Sequence, residues 1–239
     1  MMFRFNRGFM GPSLAALSPS AGGGGGGGSL PVGATSQLDF VNGFYYAGGA
    51  EQSVGDLLGG DFDPSAISGS GMYVDGTNAN RPTVVGAFLS DLLDNLPEGM
   101  TILFQVTTGH SELGGFLLYI GDNESYFDAD AWNVVSINGA VWDQGVVDIS
   151  TSISGAGAHK IAVTFNRDIG GGNHQYAWSH DGNAAVTQDT PYAALTMTDA
   201  QLGWPGPPGG GLQLFRTHIR SITIYPAKAP ADLPALTGL

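Results

Sequence analysis

Along its second half the chain alternates β-branched and aromatic residues with polar ones, in short runs separated by Gly, Asn and Asp. In HIRSITIYP (His218–Pro226), Arg220, Ile222 and Ile224 fall on one side of a period-two pattern. Ile219, Ser221, Thr223 and Tyr225 fall on the other, which predicts a strand. Pro226 has no amide to donate and ends it. Ala227–Leu236 is too short and proline-rich for a stable helix of its own, although Leu233 and Leu236 are spaced to seat one turn against a sheet edge. Further strands are predicted at Thr101–Thr108, Gly114–Asn123, Trp132–Trp142, Val146–Ile153, His159–Asn166, His174–Gln188 and Leu212–Pro226. Asn138-Gly139 and Asp181-Gly182-Asn183 are tight-hairpin signals, and RDIGGGN (Arg167–Asn173) reads as a looser hairpin loop. One stretch has helical spacing: in Val85–Leu96, Phe88, Leu89, Leu92, Leu93 and Leu96 recur at three- and four-residue intervals, a stripe for covering an edge or end of a sheet. No period of about 20–50 residues repeats, so a solenoid or propeller is not expected.

Short strands at this spacing predict an all-β protein, an antiparallel β-sandwich with one short helix. At 239 residues and 42% hydrophobic, the chain suffices for one such domain, assigned to residues 36–239, after an N-terminal arm at 1–35. Cysteine is absent, which removes disulfides, thiolate metal sites and thiol catalysis and suits assembly in a reducing cytoplasm. The formal charge is −13, from 21 acidic residues against 8 basic ones. Nucleic acid and anionic membrane surfaces are therefore disfavoured as partners, and no apolar run is long enough to span a bilayer.

The head of the chain differs in kind. Arg4 and Arg7, an apolar stretch and small residues up to Ala21 mimic a secretory signal, but Gly8, Gly11 and Pro12 interrupt the apolar part. Gly22–Gly28 is an unbroken glycine tract, which is a flexible tether unless both sides are held. Phe3, Phe5, Phe9, Met10, Leu14 and Leu17 are the candidate anchors of such an arm in a groove on a neighbouring subunit; the alternative is an arm folded back on its own domain.

GAHKIAVTFNRD, NHQYAWSHDGN and the final RTHIRSITIYP…ALTG resemble the concanavalin A-like sandwich in its laminin-G-like form. The elements that carry the resemblance are Lys160–Phe165, Tyr176–Gly182 and Ile219–Pro226, within a likeness running from about Ala34 to Leu236. The closing strand with tyrosine-proline and a short Ala/Leu/Thr tail resembles versions found in tailed-bacteriophage structural proteins. That resemblance implies a jelly-roll sandwich whose last strand completes the fold.

Candidate chemistry is sparse. Glycoside hydrolases of this fold carry paired acids on one strand, with carboxyl groups about 5–5.5 Å or 6.5–9.5 Å apart. The nearest approach here, GDNESYFDADAW, brings Asp128 and Asp130 to one face without a Glu at the required spacing. The chain is therefore expected not to be an enzyme. The resemblance allows one cofactor, a rim calcium, for which Asp122, Asn123, Asp128 and Asp130 are the candidate ligands against the alternative of a solvated acidic loop. Asp61 with Asp63, and Asp75 with Asn78, are weaker sets. His110, His159, His174, His180 and His218 show no zinc-like pairing. No Gly-x-Ser-x-Gly turn and no phosphate-binding glycine loop occurs. For carbohydrate the available aromatic platforms are Trp132, Trp142, Trp178 and Trp204, with Tyr126 and Tyr192; Trp178 is assigned to the core, and Trp204, in an exposed loop, leads with Trp142, Tyr126 and Tyr192.

Two functions are left to weigh. The first is a non-enzymatic virion component of a phage or phage-like particle (head decoration, tail or baseplate part, or fibre module). It would be assembled in the host cytoplasm, exposed on the virion surface, and held to other virion proteins and copies of itself by the arm. The second is a secreted or surface lectin that binds cell-surface glycan through the sandwich alone. A glycoside hydrolase with a disguised acidic pair ranks below both.

Overall fold

The predicted alternation becomes antiparallel ladders. The computed structural model describes residues 29–61, 63–74, 81–108, 116–121, 132–136, 140–143, 147–150, 156–191, 199–204 and 217–239. In chain order the strands begin with β1 (Ser36–Asp39), β2 (Phe44–Ala47), β3 (Ala50–Ser53), β4 (Leu58–Asp61), β5 (Ile67–Ser68) and β6 (Gly71–Val74). β7 (Arg81–Val84) leads into helix α1 (Gly86–Asn95), followed by β8 (Met100–Thr108), β9 (Phe116–Gly121), β10 (Trp132–Ser136), β11 (Ala140–Asp143) and β12 (Val147–Ser150). The chain ends with β13 (Gly157–Gly170), β14 (Asn173–His180), β15 (Val186–Pro191), β16 (Asp199–Trp204), β17 (Thr217–Pro226) and the short helix α2 (Leu233–Thr237).

Among the described residues these strands make two sheets. The larger, of ten strands, runs β15-β14-β13-β8-β17-β1-β2-β3, with β6 also paired to β17 and β5 to β6. The smaller, of seven, runs β12-β11-β10-β9-β16-β7-β4. Alternate residues of the two sheets meet in one core. Ile102, Phe104 and Val106 of β8, Ile161, Val163 and Phe165 of β13 and Trp178 of β14 pack with Val84, Leu118, Ile120, Ala200 and Leu202 of the smaller sheet. The result is an antiparallel β-sandwich, with Trp178 fully buried as expected.

The closing strand β17 lies in the interior of the larger sheet, between β8 and β1. Its parity differs from the simple alternation. Ile219 opposes Val106 and Ser221 opposes Gln105, so Arg220 is an extra residue in the ladder. Such a bulge shifts the face by one, and Ile219 therefore joins Ile222 and Ile224 in the core.

The loop predicted at Arg167–Asn173 is also tighter than expected. β13 continues to Gly170, paired with Asn173, and only Gly171 and Gly172 remain as the turn, both with positive φ. A second bulge lies between Thr164 and Arg167, where Asn166 takes φ 53°. Its Nδ2 donates to the carbonyls of Leu96 (3.1 Å) and Pro97 (3.2 Å), tying the end of α1 to the sheet. Tyr45 of β2, edge-on to Phe88, donates its phenol to Asp91 and pins the middle of the same helix.

The C-terminal tail seats on a sheet face rather than at an edge. Leu233 is buried against Leu103, Ala162, Ala177 and Tyr225, outward-facing residues of β8, β13, β14 and β17. The two alanines, beside Leu103 and Tyr225, leave room for Leu233, and Leu236 packs against the same cluster. Hydrogen bonds from Lys160 Nζ to the Gly238 carbonyl (2.7 Å) and from the Gly182 amide to Thr237 Oγ1 (3.0 Å) fix the tail there. Pro230 and Pro234 start the two short helical turns, where a missing amide donor is tolerated.

Candidate functional site

One register row across the smaller sheet consists of polar and aromatic positions and ends at a glycine. In β9, Leu118 and Ile120 are core residues, so the intervening Tyr119 position belongs to the opposite face. Tyr119 pairs with Asn133 of β10 on one side and with Gln201 of β16 on the other. Asn133 pairs in turn with Trp142 of β11, and Trp142 with Asp148 of β12. On the far side Gln201 pairs with Thr83 of β7, and Thr83 with Gly59 of β4. Seven strands thus place Asp148, Trp142, Asn133, Tyr119, Gln201, Thr83 and Gly59 in register across the sheet. At ~4.8 Å per strand the six gaps span about 29 Å. Gln201 and Thr83 are half-buried.

The residue types of this row suit a hydroxyl-rich ligand. By residue type the row holds two aromatic positions, an indole and a phenol with a flat apolar surface and a polar edge, together with two carboxamide positions, a hydroxyl and a carboxylate, which are donor and acceptor types. The Trp142 and Tyr119 positions are two strands apart, about 10 Å, with Asn133 between them. Recesses elsewhere are less suited. One of about 210 Å³ beside the β2–β3 hairpin, lined by Leu30, Tyr46, Ala47 and Glu51 among others, is smaller than the ~300–1,000 Å³ of ordinary small-molecule pockets.

A second polar cluster sits at one end of β13 and β14. The Asp181 side chain accepts from His159 Nδ1 (2.8 Å) and from the Lys160 amide (2.9 Å). His180 Nδ1 lies 3.3 Å from the same carboxylate and 3.3 Å from Asn183 Nδ2. Burial pushes the Asp181 carboxyl up, but the hydrogen bonds from His159, Lys160 and His180 outweigh it and hold it below its ordinary value of 3.8. Asp181 and Gly182 have φ 48° and 75°, and the Asn183 amide donates to the His180 carbonyl at 2.8 Å. That is the primed turn expected from Asp-Gly. The cluster is spent on shaping this turn and on holding the tail beside it.

Of the sequence candidates, Trp142 falls in the middle of the row. Trp204 does not: it ends β16, paired with Phe116, at a position with the core-side parity of Leu202. The strand runs through Gly203 to Trp204, so Trp204 belongs to the ladder. Tyr126, Tyr192 and the calcium candidates Asp122, Asn123, Asp128 and Asp130 lie outside the described residues, as do all six arm anchors, Phe3, Phe5, Phe9, Met10, Leu14 and Leu17. Among the described residues no group of three or more acidic or histidine side chains is arranged to hold a metal ion. Tyr119, Asn133, Gln201, Thr83 and Asp148 were not legible as a set, because they become neighbours only through pairing between distant strands. The available signal was local: a lone polar or aromatic residue between core apolar ones, as in LLYIG and DAQLGW.

No protein-family model matches the chain, and no curated protein sequence does. Solved structures do. A Trypanosoma rangeli sialidase in complex with sialic acid is 14% identical over 88% of this chain and 34% of its own, with a TM-score of 0.55. The same enzyme in complex with 2,3-difluoro-KDN matches at 15% identity over 95% of this chain and 35% of its own, also with a TM-score of 0.55. The chain thus spans about one third of the length of those sialidases. The CBM40 of a Ruminococcus gnavus IT-sialidase bound to alpha2,3 sialyllactose is 16% identical over 71% of this chain and 93% of its own, with a TM-score of 0.48. At these identities the shared feature is the fold: a lectin-like β-sandwich.

Proposed function

We propose that this chain is a non-catalytic glycan-binding sandwich whose ligand lies along the outer face of the smaller sheet. The observation that carries the reading is the in-register row from Asp148 through Trp142, Asn133, Tyr119 and Gln201 to Thr83. Its aromatic positions alternate with hydrogen-bonding ones, as stacking and hydroxyl recognition along a sugar chain require. The sandwich fold shared with a third of the Trypanosoma rangeli sialidase supports it as analogy. A purely binding role fits the lack of a paired-acid motif in the sequence and the commitment of Asp181 to a turn. The virion reading depends on the arm at 1–35, most of which lies outside the described residues, and the sialidase neighbours lend it no support.

The test is binding of the full chain to a broad panel of immobilised glycans, repeated with Trp142→Ala and Tyr119→Ala. Each variant is expected to lose about tenfold or more in affinity, roughly 1.4 kcal/mol, with an unchanged melting temperature. Binding that survives both substitutions would remove the face from consideration, and binding to no glycan would overturn the reading.

A further inference from the structure

The charge on the candidate face selects among glycans. We infer that its ligand is an uncharged glycan, and that a terminal sialic acid or other carboxylate weakens binding; this rests on the reading of the face as a glycan surface. Asp148 stands in the row itself, and the Asp61 and Asp199 positions, two residues from Gly59 and Gln201, share its face, against one cation of the smaller sheet's strands, Arg81, whose position shares that face two residues from Thr83. Arg81 is itself in register with Asp61. No Lys or Arg occurs between Arg81 and Lys160, nor between Arg167 and Arg216. Those two intervals contain β9, β10, β11, β12 and β16 and the segments that join β9 to β12.

The described cations other than Arg81 belong to the opposite sheet and the tail. Lys160 and Arg167 are on β13, Arg220 on β17, and Lys228 after it. Lys160 Nζ is bonded to the Gly238 carbonyl and Arg167 Nη1 to Gln175 Oε1 at 3.0 Å. His159, His174, His180 and His218 likewise lie on strands of the larger sheet. Recognition of a carboxylate calls for a guanidinium fork or an ammonium group. From Gln201 to Asp148 the row has no cation among the described residues, so an anion laid there loses hydration without charge compensation and meets a protein of net charge −13. An uncharged sugar has no such penalty, and the carboxamides and hydroxyls of the row match its own hydroxyls in both donor and acceptor sense.

The experiment presents each glycan with and without its terminal sialic acid, lactose against α2,3-sialyllactose among them, together with uncharged polysaccharides, to the full chain. Uncharged forms are expected to bind at least about tenfold tighter than their sialylated partners. The gap should narrow as salt rises from about 0.05 to 0.5 M, because repulsion between exposed charges is screened. Gln201→Arg, which adds a cation in mid-row, should raise binding of the sialylated member several-fold. Equal or tighter binding of sialylated forms, lost in Trp142→Ala, would overturn the charge inference and leave the glycan reading standing. Absence of binding to every probe would overturn both.

Discussion

Gly99 has a φ of 84°, and a Cβ built there would sit 2.7 Å from the carbonyl oxygen of Asn166. Both faults act at once, since a side chain disfavours that backbone region and the obstacle is backbone rather than a movable side chain. The contact exists because Asn166 is itself bulged, at φ 53°, to hold the end of α1. Gly99→Ala is expected to lower stability by ~2 kcal/mol or more, read as a shift of the urea midpoint at constant slope. Asp181 makes a different prediction. Its carboxyl is held below its ordinary 3.8, so the unfolded chain binds its proton more readily than the folded one. Its stabilisation is complete above about pH 4 and is lost as pH falls through the folded value. Asp181→Asn should therefore be less stable than the parent by about 1–2 kcal/mol at pH 7. The difference should shrink towards pH 2, as followed by urea midpoints across that range.

The C-terminal tail shows how an element with no stability of its own is held. Leu233 is fully buried against the larger sheet, and Leu233→Ala should cost about 2–5 kcal/mol, measured by thermal or urea unfolding. A loss below 1 kcal/mol would mean that the tail rests on its hydrogen bonds alone. Sequence alternation revealed the strands but not this seat. Leu103, Ala162 and Ala177 read as ordinary off-face residues of central strands, and only the assembled sheet brings them together under Leu233. The helix at Gly86–Asn95 was legible because its stripe is local, as was the Asp181-Gly182 turn because its backbone demand is local. The bulge at Arg220 was not, since one extra residue in a ladder is defined by the partner strand; the sequence shows only that Ile219 falls out of step with Ile222 and Ile224. For the same reason Trp142 could be named as a platform while its partners Asn133, Tyr119 and Gln201 could not.

At the scale of the whole molecule, the outer faces of the two sheets differ. The larger sheet has its own tail over β8, β13, β14 and β17, so the outward Ala177 is completely buried. On the smaller sheet, the row positions Gln201 and Thr83 are half-buried. A face kept for a ligand should tolerate a charge when no ligand is present, and a face sealed by the chain should not. Ala177→Lys must either dislodge the tail or bury an ammonium group, and is expected to lower stability by ~3 kcal/mol or more. Gln201→Lys adds one charge to an acidic face and is expected to stay within about 1 kcal/mol of the parent. The two variants differ in which sheet bears the charge, and thermal unfolding of both at low and moderate salt compares the faces directly. If Gln201→Lys destabilises as much as Ala177→Lys, the smaller sheet is covered within the full chain, and a glycan would have to displace that cover before binding.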